Sequence, residues 1–206
     1  MKFLHLDRFI KNKTLREWTE ALIFALVVAF VFRTWLYAPY RVPTGSMIHT
    51  IEIGDHIFVN KHAYGYVIPF TGNRLAASRV QRGNIVVFPY PEDPSIDFIK
   101  RVIGIGGDHV RLVGEDVYIN GTKENSPQVY LDPALLGMPM DREFVVPEGK
   151  LWVMGDNRRN SKDSRYWGFV DETQVTGQGV VIYWSHDSNQ SLLTGYRLGR
   201  IGRMLE

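Results

Sequence analysis

The sequence predicts a mainly β protein, in which a single N-terminal transmembrane helix precedes an all-β domain of coiled antiparallel sheets with a loop-rich insertion. Ala21 to Phe32 are twelve consecutive apolar residues. After residue 41, helical periodicity gives way to short β-branched and aromatic runs. Clusters of Gly, Pro, Asp and Asn separate these runs, as turns do. The 206 residues are enough for one core plus an appendage.

The apolar run extends from Trp18 to Tyr40 with only Glu20 and Arg33 as charged interruptions. Trp18 and Trp35 are about 26 Å apart on a helix, a spacing typical of aromatic anchors at two membrane interfaces. A buried helix of a soluble domain is the less favoured alternative, because no polar stripe divides the run. We predict a basic cytoplasmic segment, a transmembrane anchor and an exported domain, at residues 1–17, 18–40 and 41–206.

The basic residues on the two sides of this run predict its orientation. Before it stand Lys2, Arg8, Lys11, Lys13 and Arg16, and close after it only Arg33 and Arg41. The excess of positive charge predicts a cytoplasmic N-terminus and places the β domain on the outer face of the membrane. A cleaved signal peptide would end at small residues, whereas this run ends in bulky ones, so we expect the anchor to be retained.

Eight strands are predicted in the exported part, and turn residues separate nearly all of them. They are His56 to Asn60, Ile85 to Phe88, Phe98 to Ile103, His109 to Val113, Val117 to Ile119, Glu143 to Val146, Leu151 to Met154 and Gly179 to Trp184. Gly114-Glu115-Asp116 and Asn120-Gly121 predict hairpins. Residues 123–141 are rich in Pro and Gly and predict a long loop or a small insertion.

The composition argues against several classes of function. The net charge is only +2 and the 24 basic residues are scattered, so we expect no nucleic-acid partner. The absence of cysteine excludes disulfides, thiolate metal sites and a cysteine nucleophile. No two of the six histidines have the i, i+4 spacing of a helical zinc motif. Gly104 to Gly107 precede a predicted strand and not a helix, which indicates a turn and not a phosphate loop. We expect no metal and no cofactor.

Ser46 and Lys100 are the candidate catalytic pair. Ser46 stands just beyond the predicted anchor, and a serine nucleophile requires a base. Strand alternation places Lys100 on one face with Ile96, Phe98 and Val102, where it is the only charge. Burial there would lower its pKa from the usual value of about 10.4. The alternatives are a lysine that reaches solvent or pairs with a carboxylate, and an ordinary turn serine.

Five segments, in the same order, resemble those of bacterial type I signal peptidases, or leader peptidases, which are membrane-bound serine/lysine proteases. The segments are Pro43 to Met47, Gly54 to Lys61, Arg82 to Phe88 continuing to Pro94, Phe98 to Gly104, and Gly155 to Gly168. The resemblance runs from the anchor nearly to the C-terminus. Each segment alone is a weak match, but five in order are a strong one.

The resemblance implies a role for each candidate residue. Ser46 is the nucleophile and Lys100 its general base. Thr44 contributes to the oxyanion hole together with the backbone N–H of Ser46. Supporting roles fall to four further residues: Met47, Ser161, which hydrogen-bonds the lysine in the family, and Asp163 with Arg165, which form an ion pair.

The implied function is removal of N-terminal signal peptides from exported proteins through an acyl-enzyme, without a metal or cofactor. The implied partners are preproteins, the lipid bilayer and the protein translocation machinery. The implied location is the bacterial cytoplasmic (inner) membrane, with the catalytic domain on the periplasmic or extracellular side. Substrates of the family have small side chains at the first and third positions before the cut.

Departures from the family pattern keep alternatives open. His49 stands where a proline is common and Arg159 where an aspartate is usual, and Asn84 and Gly106 are further substitutions. A serine/histidine pair is one alternative. Others are a specialised peptidase for one substrate class such as a pilin, and a non-catalytic anchored domain that binds peptides. A self-cleaving repressor is disfavoured by the apolar run and the lack of a basic reader domain.

Overall fold

The computed structural model describes residues 12–31, 37–67, 74–75, 78–137, 139–187, 189–191 and 193–205. The predicted basic segment therefore lies largely outside the described residues. The helices are α1 (Lys13–Val31) and α2 (Ser164–Trp167), with short 3₁₀ turns at Arg158–Asn160, Glu172–Gln174 and Leu198–Arg200. The strands are β1 (Tyr37–Arg41), β2 (Asp55–Asn60), β3 (Tyr66–Val67), β4 (Arg74–Leu75), β5 (Ile85–Tyr90), β6 (Asp93–Ile105), β7 (His109–Gly114), β8 (Asp116–Ile119), β9 (Thr122–Lys123), β10 (Met140–Val145), β11 (Lys150–Met154), β12 (Val170–Asp171) and β13 (Gly177–Ser185).

The segment predicted as an anchor, residues 18–40, divides between a helix and a strand. Residues 18–31 belong to α1, residues 32–36 lie outside the described part, and Tyr37 begins β1. The anchor was predicted to end at Tyr40, and in the structure residues 37–41 form β1 and pair antiparallel with β2. Within the residues that the structure describes, no helix has both the length and the hydropathy needed to cross a bilayer.

The predicted mainly β, antiparallel architecture is confirmed. One sheet has seven strands in the order β1-β2-β13-β5-β6-β11-β12, and a second has the order β10-β7-β8-β9. Strands β3 and β4 form a separate pair. Each of the eight predicted strands overlaps an observed one. Asn120 and Gly121 have φ angles of 52° and 81°, which is the backbone that a tight Asn-Gly hairpin requires between β8 and β9.

The turn between β1 and β2 carries Ser46 and is called the serine-bearing turn. A buried apolar cluster of the seven-stranded sheet holds it in place. Met47 and Ile51 are fully buried in this cluster, against Ile57 of β2 and Ile182 of β13. Burial of each such side chain contributes about 1.5 to 3 kcal/mol. Val42 belongs to the same cluster, so buried apolar residues anchor the chain both before and after Ser46.

Strand β6 has one partly open edge, which is important for the site. It pairs with β5 from Asp93 to Arg101, whereas β11 pairs with its other edge only from Arg101 to Ile105. Among the described strands, none pairs with that edge between Ile96 and Lys100. Backbone groups of this stretch are thus available beside Ser46.

Candidate active site

Ser46 lies in a tight turn between β1 and β2 and is 7 % exposed. Its carbonyl accepts a hydrogen bond from the backbone N–H of Asn157 at 3.0 Å. The side-chain Nδ2 of Asn157 donates to the carbonyl of Gly45 at 3.2 Å. Two donors from one residue therefore fix the backbone on both sides of the serine hydroxyl.

Lys100 meets Ser46 directly. Its Nζ donates to Ser46 Oγ at 2.8 Å and to the carbonyl of Ile99 at 2.9 Å. The side chain is 3 % exposed, and burial lowers the pKa of Lys100 to about 8, although Asp163 and Asp156 oppose the shift. A substantial fraction of this amine is neutral at mildly alkaline pH, as a general base requires.

Aromatic rings contribute to the burial of the lysine. Nζ of Lys100 lies 5.0 Å from the ring centroid of Phe98. Phe98 in turn stacks on Tyr90 with the centroids 4.3 Å apart. The predicted apolar face is only partly correct, because Ile96 is 49 % exposed and does not cover the amine. Phe98 and the serine-bearing turn provide the enclosure instead.

A buried ion pair joins the lysine-bearing strand to the segment that holds the serine. Nε and Nη2 of Arg101 each lie 2.8 Å from an oxygen of Asp156. Thr50 Oγ1 donates to the same carboxylate at 2.5 Å, and Arg101 Nη1 donates to the carbonyl of Gly83. Asp156 therefore bridges β6 and the residues that follow Ser46.

Asp163 and Arg165 form the ion pair that the resemblance implied. Arg165 Nε and Nη2 lie 2.8 and 2.9 Å from the two oxygens of Asp163. Asp163 also accepts from the backbone N–H of Gly155 at 3.0 Å and caps α2. The ion pair fixes the segment from Gly155 to α2 and does not contact Ser46 in the described structure.

Ser161 does not hydrogen-bond Lys100 in this structure. Its Oγ is buried and has no hydrogen-bond partner among the described residues. It packs against Gly155, where a Cβ would collide with both Ser161 Oγ and the carbonyl of Ser46. Ser161 thus lies beside the serine-bearing turn, and its contact with the amine stays a prediction.

A cavity of about 280 Å³ lies beside the pair, and Thr44, Ser46 and Lys100 all contribute to its wall. Thr44, two residues before Ser46, lines this cavity and is exposed. Tyr40 and Asp97 line the end formed by β1 and the first half of β6. Burial, assisted by the adjacent carboxylate of Asp97, raises the pKa of Tyr40 to about 12.

Two of the departures from the family pattern, His49 and Arg159, contact residues other than Ser46 and Lys100. His49 is exposed, lies 3.6 Å from Glu52 and stacks edge-on against Tyr130. Arg159 pairs with both oxygens of Glu115 at 2.7 Å. In the described structure, the base in contact with Ser46 is therefore a lysine and not a histidine.

In the part of the chain that the structure describes, no three His, Asp or Glu side chains form a cluster able to hold a metal ion. The residues that sequence reasoning missed are those that position the pair: Asn157, Asp156, Arg101 and Thr50. Only the sequence Gly155-Asp156-Asn157 indicated this region, and it did not identify the contact partners.

Comparison with known proteins gives consistent matches. The family model described as "Signal peptidase, peptidase S26" matches residues 15–184. Signal peptidase I of Pseudomonas aeruginosa is 33% identical over 216 residues, covering 87% of this chain and 76% of that protein. The same enzyme of Rickettsia typhi is 33% identical over 221 residues, covering 87% and 84%. A signal peptidase I crystal structure from Enterococcus faecalis has a TM-score of 0.42 and 31% identity, and the match covers 49% of this chain and 97% of that chain.

Proposed function

The chain belongs to the signal peptidase family, peptidase S26, and from that membership we propose that it is a serine endopeptidase that removes N-terminal signal peptides from exported proteins. The resemblance stated from the sequence is thereby confirmed. The observation that carries the proposed mechanism is the 2.8 Å contact between Lys100 Nζ and Ser46 Oγ.

The proposed reaction passes through an acyl-enzyme. Neutral Lys100 accepts the proton of Ser46, and Oγ attacks the scissile carbonyl carbon to form a tetrahedral intermediate. The intermediate collapses, the C–N bond breaks, and Lys100 returns the proton to the leaving amine. Lys100 then takes a proton from a water molecule, which attacks the ester carbonyl to form a second tetrahedral intermediate. As the ester C–O bond breaks, Lys100 gives that proton to Ser46 Oγ, which frees the serine and regenerates the neutral amine. No step requires a metal or a cofactor.

We propose that the hydroxyl of Thr44 and the backbone N–H of Ser46 stabilise the oxyanion. This role is supported by Thr44 and Ser46 lining the same cavity. A donor aimed at the developing charge is worth about 3 to 4 kcal/mol in the transition state. Thr44→Val should therefore lower kcat by a factor of about 100 or more, whereas Thr44→Ser, which keeps the hydroxyl, should retain most activity.

The substrate would bind as an extended strand. Ile96 to Lys100 present an edge to the cavity with which none of the described strands pairs. Peptide addition to such an edge uses backbone hydrogen bonds for affinity and side-chain pockets for specificity. The small cavity beside Ser46 supports the small residues that the family accepts at the first and third positions before the cut.

We also propose that the N-terminal segment holds the protein at the cytoplasmic membrane, where preproteins emerge from the translocation machinery. The apolar side chains of α1 support this, since Leu22, Phe24 and Leu26 are each more than half exposed. Such a surface is unusual in contact with water. Retention of the full chain in membranes after carbonate washing would support the anchor, and quantitative release would exclude it.

The decisive experiment uses the purified full-length chain with a panel of preproteins in detergent. Ser46→Ala and Lys100→Met should each abolish cleavage while circular dichroism of the β domain stays unchanged. Cleavage of many unrelated preproteins supports a general peptidase, and cleavage of one class supports a specialised one. Absence of cleavage despite peptide binding would indicate the non-catalytic alternative.

A further inference from the structure

Two stacked rings connect the base, Lys100, to a second lysine at the protein surface. Nζ of Lys100 lies 5.0 Å from the ring centroid of Phe98, and the centroid of the nearly parallel Tyr90 ring lies 4.3 Å from that of Phe98. Nζ of Lys162 lies 5.0 Å from the centroid of Tyr90. Trp167 meets Tyr90 edge-on, with the centroids 6.4 Å apart. Tyr90 is buried and is therefore in contact with two rings and an ammonium group.

One carboxylate joins the outer lysine to the outer ring. Glu92 stands in the turn between β5 and β6, and its Oε2 accepts hydrogen bonds from Lys162 Nζ at 2.8 Å and from the hydroxyl of Tyr90. Both charged side chains are exposed, so their pairing contributes little to the free energy of unfolding. It does keep the ammonium of Lys162 over the ring of Tyr90. The aliphatic stem that leads to this ammonium shields the ring from water.

The segment that carries Lys162 also runs past the base. Lys162 and Lys100 line the same cavity beside Ser46. Asp163, the next residue along the chain, lies close enough to Lys100 to act on its charge. Phe98 lines this cavity too. Lys162 therefore stands where its release would open the ring stack, and the base behind it, to solvent.

We propose that Lys162 is a positioning residue that keeps the stack of Phe98 and Tyr90 closed beside Lys100, and thereby sets the pH at which the peptidase becomes active. The inference rests on the proposed peptidase function, and it adds a residue that neither gives nor takes a proton in the reaction. Water that reaches a buried amine favours the charged form. Loosening the stack should therefore raise the pKa of Lys100 toward its ordinary value.

The charges around the amine allow this mechanism to be separated from a direct charge effect. Asp156, which follows β11, and Asp163, which caps α2, favour the charged form of Lys100, and burial outweighs both. A direct charge effect predicts that loss of the positive Lys162 raises the pKa of Lys100 and that loss of the negative Glu92 lowers it. The proposed cover predicts a rise in both cases, because each change frees the side chain over the rings.

The test measures kcat/KM from pH 6 to pH 10 with the full-length protein in detergent and a preprotein whose chemical step is rate-limiting. Lys162→Ala and Glu92→Ala should each shift the acid limb upward by about 0.5 to 1 pH unit, which lowers activity at pH 7 about three- to tenfold. Activity at pH 10 should stay within about twofold of wild type. Lys162→Arg keeps the charge and a long stem and should restore the wild-type limb. The limb is measured within each variant, so a partly misfolded fraction cancels.

Lys150→Ala is the matched control, because it removes a lysine–carboxylate pair of the same 2.8 Å length, with Asp171, whose residues do not line the cavity. Its limb should coincide with that of wild type. A downward shift in Glu92→Ala, or an unmoved limb in both alanine variants, would overturn the inference alone. An equal loss at every pH in Lys162→Ala would also overturn it, since Lys162 would then act on substrate binding. Absence of Ser46-dependent cleavage by the wild type would overturn the proposed function as well.

Discussion

Arg101, the residue after Lys100 on β6, forms a bidentate ion pair with Asp156, and both N–O distances are 2.8 Å. Both side chains are almost completely buried. Through Thr50, which donates to the same carboxylate, the pair connects the strand of the base to the chain after the nucleophile. The separation of Ser46 and Lys100 thus depends on charges that take no part in the reaction.

Removing the negative partner of this pair should be strongly destabilising. Asp156→Asn leaves the Arg101 guanidinium buried without a counter-charge, and we expect a loss of about 3 to 5 kcal/mol in the free energy of unfolding. Urea denaturation of the variant measures this directly. The double variant Arg101→Met/Asp156→Leu removes both charges and should recover most of the loss. A loss below about 1 kcal/mol in Asp156→Asn would contradict the prediction.

A methyl group at Gly155 should displace the nucleophile. The added Cβ of Gly155→Ala would meet the carbonyl of Ser46 and the hydroxyl of Ser161 at less than contact distance, and the carbonyl cannot rotate away. A misplacement of about 1 Å in an active site costs about 100-fold in rate, so kcat should fall by that order. Gly199→Ala is the control, since its Cβ would meet nothing within 4 Å. Wild-type kcat in Gly155→Ala would refute the proposed geometry.

Activity should rise with pH through the titration of Lys100, whose pKa is about 8. The neutral amine is the active form, so kcat/KM should fall about tenfold per pH unit below pH 7 and level off above pH 9. A pH–rate series with a substrate whose chemical step is rate-limiting measures this. A profile that is flat from pH 6 to pH 10 would exclude a lysine base.

The titration of Lys100 should also make the free energy of unfolding depend on pH. Between the folded pKa of about 8 and the ordinary lysine value of 10.5, the unfolded chain binds more protons than the folded chain. The free energy of unfolding should therefore rise with pH across this window, by about 3 kcal/mol in total. Lys100→Met lacks this dependence and should be the more stable protein at neutral pH. Urea denaturation of both proteins at pH 7 and pH 10 compares the slopes, and equal slopes would contradict the prediction.

The strands were predictable because their signals are local. Alternating β-branched residues and the Asn120-Gly121 turn specify hairpins without reference to the rest of the chain. β1 was missed because residues 37–40 continue the apolar run of the predicted anchor, and only the pairing of residues 37–41 with β2 makes them a strand. Pro39 fits there since β1 is an edge strand of the sheet. β12 has only two residues, too few for any period to be visible.

The catalytic pair could be predicted from the sequence, but the residues that position it could not. Ser46 and Lys100 are 54 residues apart, so alternation identified a lysine suited to burial but not its partner. The resemblance supplied that pairing. The contact of Asp156 with Arg101 has no local signature, because a buried charge pair depends on which segments meet in the folded chain. Asn157 also has no local signature, because its role is to hydrogen-bond the carbonyls of Gly45 and Ser46, which are distant in sequence.

Arg159, one of the departures from the family pattern, should act on the long loop of residues 123–141 and not on the reaction. Besides its pair with Glu115, it donates to the carbonyls of Asp132 and Leu135 at 3.2 and 3.3 Å. Leu136 beside them is 96 % exposed. Arg159→Ala should therefore raise the rate of thermolysin cleavage near Leu135 and Leu136 by roughly threefold, as expected for loss of a partly exposed ion pair.

Peptidase activity should change by less than about twofold in Arg159→Ala, since the partners of Arg159 are Glu115, Asp132 and Leu135 and a partly exposed pair contributes little. The loop stays attached near the site through Tyr130, whose backbone bonds Asp156 and Arg158. Lys123→Ala removes a more exposed pair, with Asp116, and should leave thermolysin cleavage near Leu135 unchanged. The exchange Arg159→Glu/Glu115→Arg keeps opposite charges in contact and should restore much of the protection. If kcat in Arg159→Ala falls tenfold while thermolysin cleavage is unchanged, the residue acts on the active site and the assignment to the loop is wrong.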